Sequence, residues 1–429
     1  MRYTTVKNEL FISNRLNFRS LIPPATLALF VAGEKKQRNG DQYFPFRQQS
    51  DFFYLTGIEH ENSKLLIFPD CPNPKFREIL FVEAIDEEKA IWNGNMLTKE
   101  EASVISGINN VFTLDQFDQV LQECMNYALQ VYLNNNEYIK FNPATESTQT
   151  RLAKNLREKY PLHEFCRAAP LLESLRTIKS FHEIEIIRKA CNITGKAFER
   201  VLEKTRPDIY EFEVEAEISH TFTVNRSNGH GYSPIIATGI NACTLHYTSN
   251  NSLLKDGDLL LLDFGAEYAN YTADLSRTIP VSGRFNERQR NCYEAVLRVF
   301  KAAVPLYKSG NTIDNINEAV WKMMEEEMIL LGLFSRQDVI NQNPAAPLFR
   351  GYLMHGVAHH IGLDVHDVGS KYTPLAPGMV LTCEPGLYIR EEGIGIRIEN
   401  DILITDGEPV DLMRDIPLEI SDIELLMNS

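Results

Sequence analysis

Two segments in the second half of the sequence place an acidic residue at the end of an apolar run in the same way. In DGDLLLLDFG, residues 256–265, one glycine lies six residues before Asp263 and another lies two residues after it. PGMVLTCEPG, residues 377–386, repeats this spacing around Glu384. Four consecutive leucines are typical of a strand buried on both faces, where a carboxylate needs a compensating partner. The repeated pattern predicts two β units of like design, as in a domain with internal pseudo-twofold symmetry.

Two further acids lie in neighbouring strand-like segments. Asp274 is in YTADLSRTIPV, residues 271–281, which is predicted to form a hairpin with the leucine strand. Glu399 is in GIGIRIENDILIT, residues 393–405, where a period of two puts Arg397 and Glu399 on one face. Taken alone, this last segment predicts a half-exposed strand. Opposed side chains on adjacent strands approach to about 5 Å, so paired acids would repel each other without a cation.

A cluster of histidines follows in HGVAHHIGLDVHD, residues 355–367, which holds four of the ten histidines of the chain. His355 and His359 have the spacing of the zincin motif, but Gly356 stands where that motif has its glutamate. The zincin interpretation therefore fails. The nearby glycines make a helix unfavourable, and the segment is predicted to be a loop that presents histidines inward.

The candidate ligands indicate the kind of metal. Four carboxylates and a histidine offer mainly oxygen atoms, which suit hard or borderline divalent cations such as Mn²⁺ better than thiolate-rich zinc sites do. Two divalent ions would balance four negative charges. This arithmetic favours a dinuclear site, in which ions about 3.5 to 4 Å apart acidify a shared water.

Composition narrows the function class. The chain of 429 residues has 58 acids and 43 bases, a net charge of -15, which argues against a nucleic-acid surface. Its seven cysteines are scattered without a C-x-x-C pair, as in proteins of a reducing compartment. The N-terminus lacks the apolar core of a secretory signal, and no run reaches the roughly 18 apolar residues of a membrane helix. We expect a cytoplasmic protein that binds neither membrane nor nucleic acid.

Other catalytic motifs are missing from the sequence. It contains no G-x-S-x-G elbow and no phosphate-binding P-loop, and GIGIRI, residues 393–398, lacks the third glycine of a dinucleotide fingerprint.

The order of patterns along the chain predicts two domains. Up to about residue 170, apolar runs such as KLLIFPD and REILFVEA alternate with helical patterns such as LDQFDQVLQECMNYAL, which indicates an α/β layer domain. RAAPLLESLRTIKS, residues 167–180, is interpreted as a connector. Ser180 and Glu183 form a candidate capping box that opens a long helix and the second domain. Further helices are predicted in the segments EFEVEAEISHTFTVN, ERQRNCYEAVLRVFKAAVPL and NINEAVWKMMEEEMILLG.

These acids, histidines and flanking motifs resemble the dinuclear metallopeptidases of the pita-bread fold, and within them the aminopeptidase P family of Xaa-Pro aminopeptidases. The motifs are LHYTSN, LLLDFGAEY, YTADLSRT, MHGVAHHIGLDVHDVG, LTCEPGLYI and GIGIRIEND. FPFRQQSDFFYLTG, residues 44–57, is similar to the creatinase-like amino-terminal domain of that family. The resemblance implies an α/β (α+β) protein. Residues 1–172 would form the creatinase-like N-terminal α/β domain, and residues 173–429 the catalytic pita-bread domain with pseudo-twofold symmetry.

The resemblance also implies a ligand set and two divalent ions per chain, with Mn²⁺ as the family's usual metal. The implied ligands are Asp263, Asp274, His359, Glu384 and Glu399. Asp263 would chelate one ion, Asp274 and Glu399 would bridge both, and the other two residues would complete the second ion's shell. Arg397 would hold the bridging carboxylate of Glu399.

The remaining histidines receive roles in the same way. His246, His355 and His366 would line the substrate site, polarise the scissile carbonyl and stabilise the tetrahedral intermediate. His360 receives no such role, and we expect it to be structural or on the surface. The implied reaction removes the N-terminal residue from peptides with proline at the second position. A metal-bridging hydroxide would attack the carbonyl carbon, and Glu384 would accept and relay its proton. Members of the family form dimers or tetramers, so a homo-oligomer is expected.

Two alternatives remain open at this point. A prolidase shares the fold and all five ligands but cleaves only dipeptides, and the RQQSDFFYLTG segment favours the aminopeptidase. A metal-free relative would use the fold as a binding module, but such proteins lose ligands that are all present here.

Overall fold

The computed structural model describes residues 2–94, 96–138 and 145–429, which form two compact units. The first comprises Thr4–Arg176, and the second comprises Thr177–Ser429 together with Arg2 and Tyr3. Among the described residues, no helix is both long and apolar enough to cross a membrane.

The first unit is an α/β layer structure, as the sequence predicts. Its helices are α1 (Glu9–Leu21), α2 (Ser50–Thr56), α3 (Glu87–Asn93), α4 (Lys99–Ser106), α5 (Phe117–Met125), α6 (Thr148–Lys159) and α7 (Ala169–Thr177). Its strands are β1 (Thr26–Val31), β2 (Gln37–Asn39), β3 (Gln42–Tyr43), β4 (Lys64–Ile67), β5 (Glu78–Val82), β6 (Val111–Thr113), β7 (Gln130–Leu133) and β8 (Glu164–Arg167).

A mixed six-stranded sheet forms the centre of this unit, in the order β6-β5-β4-β1-β7-β8. Strand β1, TLALFV, lies inside the sheet and is buried along its whole length, which explains why it lacks polar alternation. One face of the sheet packs against α5, whose Phe117, Leu121 and Cys124 join the core.

The segment interpreted as a connector is instead helical. Helix α7 covers Ala169–Thr177, and its Leu172 is buried. Arg176 in its last turn is also buried, where its Nη1 donates to Asp51 Oδ1 at 2.7 Å. The sequence of this segment could not reveal the ion pair, because the acid that pairs with Arg176 lies far away in the sequence.

The second unit combines long helices with short antiparallel strands. Its helices are α8 (Phe181–Lys204), α9 (Glu211–Val224), α10 (Glu287–Ala303), α11 (Ile313–Leu330), α12 (Arg336–Asn341) and α13 (Ile420–Met427). Its strands are β9 (Gly229–His230), β10 (Ile235–Thr238), β11 (Leu259–Asp263), β12 (Ala266–Tyr268), β13 (Tyr271–Thr272), β14 (Ser276–Pro280), β15 (Val380–Cys383), β16 (Gly386–Ile389), β17 (Ile394–Arg397), β18 (Asn400–Leu403) and β19 (Val410–Asp411).

The predicted start of the second unit's first helix is confirmed. Ser180 and Glu183 form a capping box in which the Ser180 side chain accepts a bond from the Glu183 N–H. The Glu183 carboxylate in turn accepts a 2.8 Å bond from the Ser180 N–H and a 2.9 Å bond from the Tyr271 hydroxyl. The cap therefore ties α8 to the strand segment that leads to Asp274.

Both acid-bearing strands lie in antiparallel sheets. Strand β11 pairs with β10 and β14, in the order β10-β11-β14, and β15 pairs with β18 in the order β15-β18-β19. Gly257 and Gly378, the matched glycines before the two strands, both adopt positive φ, +84° and +92°. The two segments therefore share a turn conformation as well as a spacing.

Candidate metal centre

Each of the four predicted acids lies where a strand ends or is interrupted. Asp263 is the last residue of β11 and Glu384 follows β15 directly, whereas Asp274 lies between β13 and β14. Glu399 occupies the two-residue gap between β17 and β18. A break in regular pairing frees each carboxylate to turn towards a common point.

Two predictions about these strands need correction. The leucine strand does pair with the following segment, but Ser276 lies opposite Asp263, so Asp274 precedes the paired part of that segment. The half-exposed strand expected around Glu399 is wrong, because Ile394–Arg397 and Asn400–Leu403 are buried throughout. Other parts of the protein cover both faces of this strand segment, and the alternating pattern did not reveal that.

The structure brings the five predicted ligands together. Single ligand atoms of Asp274, His359 and Glu399 all lie within 4.8 Å of one another. His359 Nε2 is 3.5 Å from Asp274 Oδ2 and 3.7 Å from Glu384 Oε1. Asp263 joins the group through Tyr232, whose hydroxyl lies 2.7 Å from Asp263 Oδ1 and 2.5 Å from Asp274 Oδ1.

His359 is oriented as a metal ligand would be. Its Nδ1 lies 3.0 Å from the carbonyl oxygen of His360, which can only accept, so Nδ1 carries a proton and Nε2 faces the carboxylates. Fixing the outer nitrogen in this way is the usual arrangement around metal-bound imidazoles. The loop is held in place by Thr382, whose hydroxyl accepts from the His359 N–H at 3.1 Å.

The proton affinities of the centre reflect crowded buried acids. Burial raises the pKa of Glu384 to about 7, with Asp274 and Asp263 adding to the effect while His359 and Arg397 oppose it. Burial and the neighbouring carboxylates also raise the pKa of Glu399 well above its ordinary value. Burial alone would lower the pKa of His359, but the Asp274 hydrogen bond and the charges of Asp274 and Glu384 raise it to about 9.

Apart from these bound protons, the centre contains little positive charge. Arg397 is buried and donates from Nη2 to Asp263 Oδ2 at 2.5 Å, whereas its Nε is 4.0 Å from Glu399 Oε2. Its Nε donates to Ser276 Oγ at 2.7 Å, and the Ser276 hydroxyl bonds Glu399 at 2.6 Å. Arg397 thus reaches Asp263 directly and Glu399 mainly through Ser276. One guanidinium among four carboxylates leaves a charge deficit that divalent cations would remove, so the donor set fits such ions.

The predicted loop around the histidines is confirmed, and its histidines occupy different environments. His355 is half-buried, with Nδ1 3.6 Å from Glu384 Oε2 and 2.6 Å from the Gly356 carbonyl oxygen. Its Nε2 lies 2.8 Å from the Tyr388 hydroxyl, which accepts from Arg397 Nη1 at 2.8 Å. Burial and then the charge of Arg397 lower the pKa of His355 to about 4, so its ring is neutral near pH 7.

The other three histidines also differ from one another in their surroundings. His366 is exposed, and its ring meets that of His359 edge-on with centroids 4.6 Å apart. His246 is exposed in a turn and lies near enough to His355 to contribute to lowering its pKa. His360 is buried and forms a β-bridge with Leu381, with no hydrogen bond to its ring nitrogens from any described residue.

The sequence reasoning missed three side chains that complete the centre. Tyr232 and Tyr388 bond the ligands and His355, as described above. Asp401 is fully buried, and its Oδ2 accepts from the Asp274 N–H at 3.2 Å and from the Cys191 thiol at 3.5 Å. The period of two that links Arg397 to Glu399 extends to Asp401 and could have identified it. The tyrosines carry no comparable signal.

Comparisons with known proteins agree with this geometry. Residues 185–406 match Metallopeptidase family M24, and residues 11–132 match the aminopeptidase P N-terminal domain. The chain is 36% identical to the Xaa-Pro aminopeptidase of Haemophilus influenzae, over 96% of this chain and 95% of that one.

Solved structures show the same likeness. The structure of Escherichia coli aminopeptidase P with the inhibitor Pro-Leu matches with a TM-score of 0.90 and 32% identity, covering 99% of both chains. The zinc-substituted form of that enzyme in complex with product matches with a TM-score of 0.89, again over 99% of both chains.

Proposed function

The chain belongs to metallopeptidase family M24 and, within it, to the aminopeptidase P family, so it is a divalent-metal-dependent hydrolase. We propose that it removes the N-terminal residue from peptides with proline at position two. The observation that carries this proposal is the convergence of Asp274, His359 and Glu399 within 4.8 Å, with Asp263 and Glu384 beside them. We place residues 1–172 in a creatinase-like N-terminal domain and residues 173–429 in a pita-bread catalytic domain.

The five ligands would hold two divalent ions, with Mn²⁺ as the proposed metal. The charge balance supports the number, and the predominance of oxygen donors supports the choice of metal. Bound in this way, divalent ions acidify a coordinated water and polarise the substrate carbonyl.

The chain's own groups handle the proton. Glu384, which lies beside the other proposed ligands, can accept a proton from the attacking water and return it to the proline nitrogen that leaves. His355 lies 3.6 Å from Glu384 and is neutral, so it does not hold Glu384 in an ion pair, and Glu384 can gain and lose a proton during the reaction. The exposed imidazoles of His246 and His366 can donate N–H bonds to the developing oxyanion.

Arg397 sets the background charge of the centre. It donates to Asp263 Oδ2, and its charge opposes the rise in the pKa of Asp263 that burial causes. Proline at the second position forms a tertiary amide without an N–H, so its selection depends on packing against the ring and not on a hydrogen bond.

Location and assembly are also proposals. The seven cysteines are free, and most are buried, which supports a reducing cytoplasm. We propose a homo-oligomer, either a dimer or a tetramer, by analogy with the family.

The deciding experiment compares an Xaa-Pro dipeptide with an Xaa-Pro-Yaa tripeptide, using purified protein with added Mn²⁺. We expect release of the first residue from the tripeptide. Cleavage of the dipeptide alone would identify a prolidase, and cleavage of neither peptide would contradict the proposal.

A further inference from the structure

Arg350 carries a guanidinium group that has no ion-pair or hydrogen-bond partner in the described part of the chain. It lies in the 3₁₀ turn Leu348–Gly351 and is partly exposed. Its guanidinium carbon lies 3.8 Å from the ring centroid of Trp321 and 5.1 Å from that of Phe349. These two rings are stacked on each other with centroids 6.0 Å apart. Arg350 is therefore held against an aromatic surface while its charge remains unneutralised.

This arrangement contrasts with other arginines of the second unit. Arg298 pairs with Glu327, and Arg336 pairs with Glu326 at 2.5 Å, both on the exposed surface around α11. Arg350 instead lies against two aromatic rings, with no acidic partner among the described residues. A stacked guanidinium keeps its edge N–H groups available, in the fork geometry that matches a carboxylate.

The aromatic support connects Arg350 to the candidate metal centre. Trp321 Nε1 donates to the carbonyl oxygen of His355 at 3.3 Å, and His355 Nδ1 is 3.6 Å from Glu384 Oε2. Arg350 is therefore linked through Trp321 and His355 to the centre where the substrate's scissile bond would lie.

A short peptide brings its terminal carboxylate close to the bond that is cleaved. In an Xaa-Pro-Yaa tripeptide, two residues separate the scissile carbonyl from the terminal carboxylate, a span of roughly 7 Å when extended. A cation on the rim of the centre can then meet the carboxylate while the first residue remains at the reacting point.

We propose that Arg350, supported by Trp321, binds the C-terminal carboxylate of short peptide substrates and makes the enzyme favour free tripeptides over C-terminally blocked ones. The proposal rests on the proposed function and specifies its substrate class.

The test measures kcat/KM of the manganese-loaded full-length protein on Xaa-Pro-Leu as free acid and as C-terminal amide. We expect the wild-type protein to favour the acid about tenfold, the effect of one charge-assisted hydrogen bond in a partly exposed site. R350M should bring the acid-to-amide ratio close to one, mainly through KM for the acid. R350K should keep part of the preference because it retains the charge without the fork. R336M is the matched control, since it removes a surface arginine of the same unit and should leave the ratio unchanged.

Binding of Pro-Leu and Pro-Leu amide, measured by calorimetry, gives a readout without turnover. The acid should bind wild type more tightly than the amide, and R350M should remove the difference. A wild-type protein that treats acid and amide alike in both assays overturns the proposal. So does an R350M variant that loses acid and amide to the same extent, which would indicate a purely structural role. If wild type cleaves neither tripeptide, the proposed function fails, and the calorimetric comparison still decides the role of Arg350.

Discussion

At the scale of single residues, the chemistry of the centre depends on burial. Glu384, Glu399 and Asp263 all have a raised pKa with burial as the first cause, and Arg397 opposes the effect at each of them. Carboxyl groups in such surroundings hold protons until a cation replaces them. The centre is therefore poised to exchange protons for metal ions.

Replacing Glu384 should separate catalysis from folding. We expect Glu384→Ala to lower kcat by about a thousandfold, within the range of a lost general acid–base group. Removing one of several crowded buried carboxylates relieves their mutual repulsion, so the loss of Glu384 should not lower the melting temperature. Turnover assays and thermal unfolding by circular dichroism measure the two effects. Glu408→Ala, at an exposed turn, is the control, and full turnover by Glu384→Ala would refute the assigned role.

Metal binding should depend on pH in a defined direction. In the metal-free protein His359 has a pKa of about 9 and Glu384 a pKa of about 7, so both must lose protons before they can bind an ion. We expect Mn²⁺ affinity to rise between about pH 6 and pH 9, with proton release on binding. Calorimetric titration of metal-free protein in two buffers of different ionisation enthalpy measures both quantities. Affinity that stays constant across this range would contradict these shifts.

The residues available to prediction were those with a pattern. Asp263 and Glu384 follow apolar strands at matched spacing, and His359 lies in a dense histidine cluster. Asp401 was missed although it continues the same alternation, because a carboxyl group that bonds a backbone N–H and a thiol leaves no motif. Tyr232 is 31 residues from one partner and 42 from the other, so only the fold reveals it.

At the scale of elements, the site depends on close backbone contacts at glycines. Gly265 lies just after Asp263, and a Cβ added there would lie 1.7 Å from the carbonyl oxygen of Ala273. Gly395 on β17 is similarly confined, with the Ala242 carbonyl oxygen 2.5 Å from an added Cβ. Only glycine allows these segments to approach, which explains why the repeated pattern includes a glycine two residues beyond Asp263.

Substituting Gly265 should therefore displace the strand that leads to Asp274. We expect Gly265→Ala to lower the melting temperature and to weaken Mn²⁺ binding at least tenfold, because the backbone at Ala273 has to move. Gly407→Ala is the control, since an added Cβ there would find its nearest neighbour at 4.0 Å. Calorimetry and thermal unfolding test both variants. Wild-type metal affinity in Gly265→Ala would show that the contact is not important.

Elements were predictable where local chemistry determined them. The capping box at Ser180 and Glu183 identified the start of α8 correctly, since both partners lie within one turn. Helix α7 was missed because its polar residues find partners in distant segments, as Arg176 does with Asp51. The interruptions at Asp274 and Glu399 were also missed, since an alternating pattern does not show where a strand stops pairing.

At the scale of the whole molecule, the two units differ in how much of their structure and function the sequence could predict. The second unit carries every candidate ligand, and its motifs were sufficient to indicate the family. The first unit carries its mixed sheet order, β6-β5-β4-β1-β7-β8, without any catalytic motif. Pairing of β1 with β4 and β7 joins strands far apart in sequence, so no local pattern could predict that order.

The proposed assembly can be tested directly. We expect light scattering after size-exclusion chromatography to give at least twice the mass of one chain, since family members are expected to associate as dimers or tetramers. The measurement should be repeated at high salt, because a chain with a net charge of -15 repels its copies more strongly at low ionic strength. A mass equal to one chain at both salt concentrations would contradict the homo-oligomer.

Lys179 and Asp367 form an ion pair in which both side chains are almost completely shielded from solvent, with Nζ and Oδ2 3.2 Å apart. Asp367 belongs to the histidine loop, and Lys179 immediately precedes the cap of α8. Losing either partner alone would break this buried ion pair, at a cost of about 3 to 5 kcal/mol. Over evolutionary time the two positions should therefore mutate jointly or not at all, and an alignment of related sequences should display them as a covarying pair.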